Sequence, residues 1–323
     1  MVIDKENMLE VLEKFPIQCR DALSLAKGIK VSKEVSNIVV LGMGGSAIGG
    51  DLLKSCMSES DIPLFVNRNY DLPKYVNEDS LVFAVSYSGN TEETLSACEQ
   101  AIGKKANVIA VTTGGRLSEL CEKVIKIPKG YQPRAAVGYL FFPVLGVLYN
   151  SGIVNVKNAD LNEMMDLLKD FKSYEEQAET LAKKIDQKIP IIYSSELMAP
   201  VAYRLKTQIN ENAKSPAFTH TFPEMNHNEI NAFSFMDRRT YIAILLRDEQ
   251  DHPRIRKRMD ICKEIFEERV DTEELHTKGK SLLARMFSTI YLGDFVSYYL
   301  AIRKRVDPTP VQIIENLKRA LLK

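Results

Sequence analysis

The sequence predicts an α/β fold built from two doubly wound parallel sheets with flanking helices. Short strands made wholly of apolar residues alternate with helical segments, as is typical of parallel sheets covered on both faces. This alternation occurs twice along 323 residues, a length that usually forms two domains. We therefore expect an N-terminal domain over residues 1–153 and a C-terminal domain over 154–323, with the boundary in a polar helical stretch.

The first half contains three apolar strands and two further strands at predicted outer positions. In chain order they are 38–41, 63–66, 81–85, 108–111 and 124–127. An amphipathic helix is predicted at Glu92–Gly103. The apolar stretch Tyr139–Tyr149 is predicted to be a buried helix, because it is too short to span a membrane.

The second half opens with two helices that have charged faces, at 159–171 and 173–188. Strands are predicted at 190–193 and 241–246. The remaining long helical patterns, the last of them after a proline-rich break, are 254–269, 281–303 and 311–322. The two halves therefore look like two versions of one α/β plan.

Composition excludes several classes of function. Lys plus Arg equals Asp plus Glu, 43 each, so nothing indicates a nucleic-acid or membrane partner. The five cysteines contain no C-x-x-C pair, which argues against a disulfide framework and a structural zinc site. The N-terminus lacks an apolar signal region. We expect a cytoplasmic protein.

A glycine-rich loop follows the first strand and opens a helix. Glycines let the backbone approach a ligand, and a helix N-terminus offers N–H groups to an anion. The pattern Gly42-x-Gly44-x-x-Ala47 also fits a dinucleotide fingerprint, which expects an acidic residue at the end of the next strand. Here the first acidic residue is Asp71, beyond that strand. An NAD(P)-binding dehydrogenase is therefore the weaker alternative, beside a purely structural turn.

A second loop places three hydroxyl groups, on Ser86, Ser88 and Thr91, between a strand and a helix. Hydroxyl and N–H groups together suit a phosphate dianion. Thr91 alone could be an ordinary helix N-cap, but a cap would not explain the two serines. Because the loops follow strands of one parallel sheet, we expect them to meet at its carboxyl edge.

Several segments, in order over nearly the whole chain, resemble the sugar isomerase (SIS) domain family in its bifunctional phosphoglucose/phosphomannose isomerase branch. They are Gly44-Gly45-Ser46, Ser86-x-Ser88-Gly89-x-Thr91, Pro133-Arg134-Ala135-Ala136, Asn210-Glu211-Asn212-Ala213-Lys214, Asn226-His227-Asn228-Glu229 and Asp307-Pro308-Thr309-Pro310 through Leu317-Lys318. The region from about 248 to 280 departs from the family by being longer and more charged.

The resemblance implies two SIS-type subdomains and a metal-independent aldose–ketose isomerase. Its reaction would interconvert glucose 6-phosphate and mannose 6-phosphate with fructose 6-phosphate through a cis-enediol(ate). The substrate-binding residues implied by the resemblance are Gly45, Ser46, Ser86, Ser88, Thr91 and Arg134.

The resemblance also implies four catalytic roles. Glu211 would be the base that moves a proton between C1 and C2, and Arg134 would stabilise the enediolate. His227 would assist ring opening, and Lys318 would contact the C5 oxygen or share that step. Nearby carboxylates, Glu224 and Glu229, are alternative bases.

The resemblance further implies a homodimer in which the catalytic histidine reaches the neighbouring subunit's site. The four histidines form no H-x-x-x-H or H-E-x-x-H pair, so we expect neither a metal nor another cofactor. A sugar-phosphate-binding module without catalysis stays an alternative, since it would keep the phosphate loops and need no Glu211–Arg134 pair.

Overall fold

The strands pair in parallel and form two separate sheets in the computed structural model, which describes residues 2–32 and 34–321. The strands in chain order are β1 (Asn37–Leu41), β2 (Leu64–Asn67), β3 (Ser80–Val85), β4 (Asn107–Thr112), β5 (Val124–Lys126), β6 (Ile189–Ser195), β7 (Phe218–Phe222), β8 (Tyr241–Arg247) and β9 (Asp271–His276). The predicted α/β class with two parallel sheets is confirmed.

Helices flank both sheets. In chain order they are α1 (Met8–Glu13), α2 (Phe15–Ser24), α3 (Gly44–Cys56), α4 (Glu92–Gly103), α5 (Gly115–Leu120), α6 (Val137–Asn150), α7 (Asn158–Leu168), α8 (Phe171–Ile185), α9 (Ala199–Asn212), α10 (Pro253–Glu267), α11 (Leu282–Arg303) and α12 (Gln312–Leu321). Short 3-10 helices lie at Pro133–Ala135, Glu224–His227 and Glu229–Ser234. None of the helices described is both long and apolar enough to cross a lipid bilayer.

The chain divides into two compact units. One, the N-terminal unit, covers Lys14–Met165, and the other, the C-terminal unit, combines the segment through Glu13 with the chain from Asp166 onward. The sequence placed the division near 153 and assigned the first residues to the first domain. Instead α1 packs against α11 of the C-terminal unit, because Met8 and Leu12, one helical turn apart, are buried apolar residues.

In the N-terminal unit the strand order is β2-β1-β3-β4-β5, a doubly wound arrangement. Every residue of β1 and β3 is buried, as the continuous apolar sequences 38–41 and 81–85 predict. The helix α6 is buried along nearly its whole length and packs against α2 and α3, which confirms the predicted buried helix.

In the C-terminal unit the strand order is β7-β6-β8-β9. The first three strands of each unit therefore follow one order, in which the second strand lies on one side of the first and the third on the other. The long helix α11 is mostly buried against α8 and α9. The outer strands β7 and β9 were not predicted, because their sequences are polar and only partly buried.

Candidate active site

The two predicted phosphate loops lie at the point where the strand order of the N-terminal sheet reverses. The strand β1 pairs with β2 on one side and with β3 on the other, so the connections after β1 and β3 leave in opposite directions. Ligands of doubly wound folds bind in the crevice that forms there, beyond the carboxyl ends of the strands.

The first loop brings the start of α3 close to neighbouring backbone. The N-cap of α3 is Met43, whose side chain provides no capping hydrogen bond to the first-turn N–H groups. A Cβ atom on Gly45 would lie 2.9 Å from the Pro133 carbonyl oxygen and 3.0 Å from the Arg134 nitrogen. Only glycine permits this approach, which places the Arg134 segment beside a helix N-terminus that can accept an anion.

Hydrogen bonds connect the second loop to the first. The Tyr87 backbone N–H donates to Ser46 Oγ at 3.3 Å, which links the loop after β3 to the first turn of α3. The Ser86 and Thr91 hydroxyl oxygens lie 2.9 Å apart, and the Gly89 N–H donates to Ser86 Oγ at 3.1 Å. Ser46, Ser86 and Thr91 are therefore parts of one hydrogen-bonded loop structure.

The side chain of Thr91 does not act as a helix cap. Thr91 occupies the N-cap position of α4, yet its hydroxyl makes no capping hydrogen bond and instead lies against Ser86. Ser88 is exposed, and its Oγ accepts a hydrogen bond from the Asn90 N–H at 3.2 Å. The hydroxyl groups thus lie on the loop itself, where a ligand phosphate could bind them.

A third loop, after β4, contacts the second one, and sequence reasoning assigned it no role. A Cβ atom on Gly89, whose φ is +71°, would lie 1.8 Å from the Gly114 carbonyl oxygen. The Asn90 side chain accepts a hydrogen bond from the Arg116 N–H at 3.0 Å. Glycine follows both strands in the sequence, Gly89 after β3 and Gly114-Gly115 after β4, and this was the signal, since two backbones can approach this closely only without side chains.

Arg134 is buried, with 3% of its surface exposed. Its Nη1 lies 3.5 Å from Gln132 Oε1, at the limit of a hydrogen bond. A guanidinium is always charged in proteins, and burying it favours an anionic partner. The N-terminal unit thus brings the predicted phosphate-binding residues and the Arg134 backbone to one edge of its sheet.

The other three predicted residues lie on separate elements of the C-terminal unit. Glu211 is half-buried in the last turn of α9, and its backbone carbonyl accepts a hydrogen bond from Lys214 Nζ at 2.6 Å. His227 is exposed at the end of the 3-10 helix Glu224–His227. Lys318 is exposed on α12.

Buried polar contacts hold the C-terminal half of α9, which carries Glu211, against α11. Asp294 accepts hydrogen bonds from Arg204 Nη2 at 2.6 Å and from Gln208 Nε2 at 2.9 Å. One turn further along, Asn212 Nδ2 donates to Ser297 Oγ at 2.9 Å. The three α9 residues are spaced by four, so they form one face of the helix whose last turn contains Glu211.

The strand order of the C-terminal sheet also reverses between β6 and β8. The side chains at this point differ in type from those of the N-terminal phosphate loops. Ser195 ends β6, and the buried carboxylates Asp248 and Asp251 follow β8. Asp248 Oδ2 accepts a hydrogen bond from Arg285 Nε at 2.9 Å. Across residues 2–32 and 34–321, no three His, Cys, Asp or Glu side chains are grouped as metal ligands.

Relatives share this chain over nearly their full length. The protein named bifunctional phosphoglucose/phosphomannose isomerase from Caldicellulosiruptor bescii is 42% identical, over 97% of this chain and 98% of that protein. The protein of the same name from Thermoplasma acidophilum is also 42% identical, over 88% and 90% of the two chains.

The chain belongs to the bifunctional phosphoglucose/phosphomannose isomerase family.

Two further comparisons agree with this family. The SIS domain matches residues 32–141, and the bacterial phospho-glucose isomerase C-terminal SIS domain matches residues 174–321. These matches cover the loops after β1 and β3 and, in the C-terminal unit, Glu211, His227 and Lys318.

Two more comparisons concern proteins with other names. A protein from Sulfolobus acidocaldarius named D-glucosamine-6-phosphate 4-epimerase is 31% identical, over 96% of this chain and 97% of that protein. The solved C-terminal domain of glucosamine-fructose-6-phosphate aminotransferase from Francisella tularensis has a TM-score of 0.69 at 15% identity, covering 93% of this chain and 97% of that one. At that identity the likeness concerns the fold alone.

Proposed function

We propose that this protein is a metal-independent isomerase that interconverts glucose 6-phosphate and mannose 6-phosphate with fructose 6-phosphate. The observation that carries the proposal is the grouping of Ser46, Ser86 and Thr91 beside the uncapped start of α3, where the strand order reverses. The names of the 42% identical relatives support the reaction class.

In this proposal the loops bind the substrate phosphate. The hydroxyls of Ser46, Ser86, Ser88 and Thr91 donate to its oxygens, and the Gly45 N–H adds a backbone donor at the positive end of α3. Hydrogen bonds to a charged acceptor are stronger than neutral ones, so four hydroxyls can replace a lysine.

Glu211 is the proposed base. It removes the proton from C2 of the aldose, the C–H electron pair forms the C1–C2 double bond, and negative charge develops on the C1 oxygen. The Arg134 guanidinium stabilises that charge, which explains why no metal is needed. Transfer of the C2 hydroxyl proton to the C1 oxygen, together with return of the carbon-bound proton to C1, gives the ketose. Because C2 is planar in the enediolate, glucose and mannose phosphates can share this intermediate.

His227 and Lys318 are assigned to ring opening, which transfers a proton between the C5 and C1 oxygens. An exposed histidine is free to reach another chain, and we infer a homodimer in which His227 completes the partner's site. We also place the protein in the cytoplasm, since all five of its cysteines are free thiols.

Each hexose 6-phosphate, incubated with the protein in deuterium oxide and followed by NMR, tests the proposal. Fructose 6-phosphate should form from both aldoses with deuterium at C1, and aldose re-formed from it should carry deuterium at C2. Binding without turnover would favour a sugar-phosphate-binding module. Conversion of glucosamine 6-phosphate alone would move the activity toward that of the epimerase relative. Turnover that requires a nicotinamide cofactor would indicate a dehydrogenase.

A further inference from the structure

The residues on either side of His227 are fixed to the rest of the C-terminal unit, whereas His227 itself is not. We call residues 224–229 the histidine loop. Among the residues described, none forms a hydrogen bond with the imidazole of His227, which is exposed. A catalytic group on an exposed loop needs other residues to fix its position, because a displacement of about 1 Å costs about 10²-fold in rate.

The N-terminal side of the histidine loop is bound to α10. Asn226 Nδ2 donates to Cys262 Sγ at 3.0 Å, and Arg258 Nη1 donates to Asn226 Oδ1 at 3.3 Å. The preceding residue, Met225, is fully buried in the apolar core of this unit. This side of the loop is therefore held by packing and by two hydrogen bonds.

The C-terminal side is bound to β6 through one short hydrogen bond. The Tyr193 hydroxyl donates to Glu229 Oε1 at 2.6 Å. The Tyr193 ring is fully buried, with its centroid 5.3 Å from that of Phe266 and 6.1 Å from that of Phe222. A hydrogen bond from a rigid aromatic residue to a carboxylate is strong and directional.

The same contact explains why Glu229 is a poor candidate for the base. Its Oε1 accepts the Tyr193 hydrogen bond, and burial raises the pKa of that phenol, with Glu229 adding to the shift. The phenol therefore remains a donor. Glu224 is also engaged, since its Oε1 accepts a hydrogen bond from Asn228 Nδ2 at 2.9 Å.

Resting on the proposed isomerase function, we propose that Tyr193 and Glu229 are positioning residues that orient His227 for proton transfer during ring opening. Tyr193 fixes Glu229, and Glu229 lies two residues from His227 on the same loop. The Asn228 side chain strengthens this stretch, because its Oδ1 accepts a hydrogen bond from the Glu229 N–H at 2.6 Å. Neither Tyr193 nor Glu229 contacts the substrate in this scheme.

The first test removes only the donor, by Tyr193→Phe, so the ring still fills the core. We expect kcat to fall about tenfold, with KM within about twofold of wild type because the phosphate loops are unchanged. Tyr174→Phe is the matched control, since Tyr174 is also buried in this unit and its hydroxyl has no hydrogen-bond partner among the described residues. Its kcat should match wild type.

A double-mutant cycle separates positioning from general stability. If Tyr193 acts through His227, adding Tyr193→Phe to a His227→Ala enzyme should cause no further loss of kcat. The imidazole NMR signals, assigned by their absence in His227→Ala, should shift in Tyr193→Phe and stay unchanged in Tyr174→Phe.

Variants of Glu229 test positioning against a role as base. Glu229→Gln keeps an oxygen that accepts the tyrosine hydrogen bond, so kcat should stay within about threefold, whereas a lost general base would cost at least about 10²-fold. Glu229→Leu keeps the size but removes the acceptor and should match Tyr193→Phe.

Two results would overturn this inference while leaving the isomerase function intact. One is a wild-type kcat in Tyr193→Phe. The other is an equal loss with and without His227. A wild-type protein inactive on both aldose phosphates would instead overturn the proposed function, and this inference with it.

Discussion

Replacing Gly45 with alanine would add one methyl group where the backbone leaves no room for it. The new Cβ atom would lie 2.9 Å from the Pro133 carbonyl oxygen and 3.0 Å from the Arg134 nitrogen, and an ordinary contact begins at 3.4 Å. Both neighbours are backbone atoms, so no side-chain rotation can relieve the contact. The first turn of α3 and the Arg134 segment must therefore separate by about 0.5 Å.

That separation should reduce catalysis more than stability. Overpacking usually costs about 1–3 kcal/mol in free energy of unfolding, part of which alanine's higher helix propensity offsets. In the proposed site, however, the phosphate position at the start of α3 would move relative to the Arg134 guanidinium. Since about 1 Å of misplacement costs about 10²-fold, we expect kcat to fall about tenfold and KM to rise.

Isomerisation of both aldose phosphates, measured alongside thermal unfolding, checks this expectation. Gly50→Ala is the matched control, because its Cβ atom on the same helix would meet Val40 Cγ1 at 2.9 Å and Val66 Cγ2 at 3.0 Å, away from the loops. It should lower the unfolding temperature and spare kcat well below that temperature. Wild-type kcat and KM in Gly45→Ala would refute the idea that this contact sets the geometry of the site.

Four further outcomes are expected. Glu211→Gln should reduce kcat by about 10²–10⁴-fold with both aldose phosphates while KM changes little; sparing one epimer would contradict a shared enediolate. Combining Ser88→Ala with Thr91→Ala should raise KM sharply, since charge-assisted hydrogen bonds contribute about 1.5–3 kcal/mol each, and an unchanged KM would exclude these hydroxyls from the phosphate site. Mixing the strongly impaired Glu211→Gln and His227→Ala chains should raise activity well above that of either chain alone through hybrid dimers, and no recovery despite measured subunit exchange would mean that each site uses a single chain. Burial raises the pKa of Asp251, so its ionisation weakens the fold as pH rises through that pKa; denaturant unfolding should find Asp251→Asn more stable than wild type at high pH and no more stable at low pH, and a pH-independent difference would contradict this.

The sequence predicts the centre of each sheet better than its edges. After their first residues, Asn37 and Ser80, the strands β1 and β3 are apolar and buried on both faces, so their composition alone identifies them. The edge strand β9 is rich in charged residues, and Lys184 Nζ and Lys263 Nζ pair with its Glu273 and Glu274 at 2.8 and 2.7 Å. Such a strand resembles a loop in sequence, because its side chains face solvent or form ion pairs where a central strand would carry buried apolar residues.

In the candidate site, only features formed by residues close together in the sequence could be predicted. The hydroxyl spacing of Ser86, Ser88 and Thr91 is local and could be predicted. The contact of Gly89 with Gly114 and the hydrogen bond from Tyr193 to Glu229 join residues 25 and 36 positions apart, and they depend on how the strands are ordered. A local pattern can mark single residues such as these glycines, but it does not encode which residues pair.

The shared strand order has an electrostatic consequence. Both units reverse their strand order, but only in the N-terminal unit do glycines follow the strands at that point. In the C-terminal unit, Asp248 and Asp251 follow the equivalent strand, and Arg285 already neutralises one of them. A phosphate dianion bound after β8 would be repelled by negatively charged carboxylates. The two copies of one topology therefore differ in charge at the equivalent position, and we expect an anion to bind at the N-terminal one.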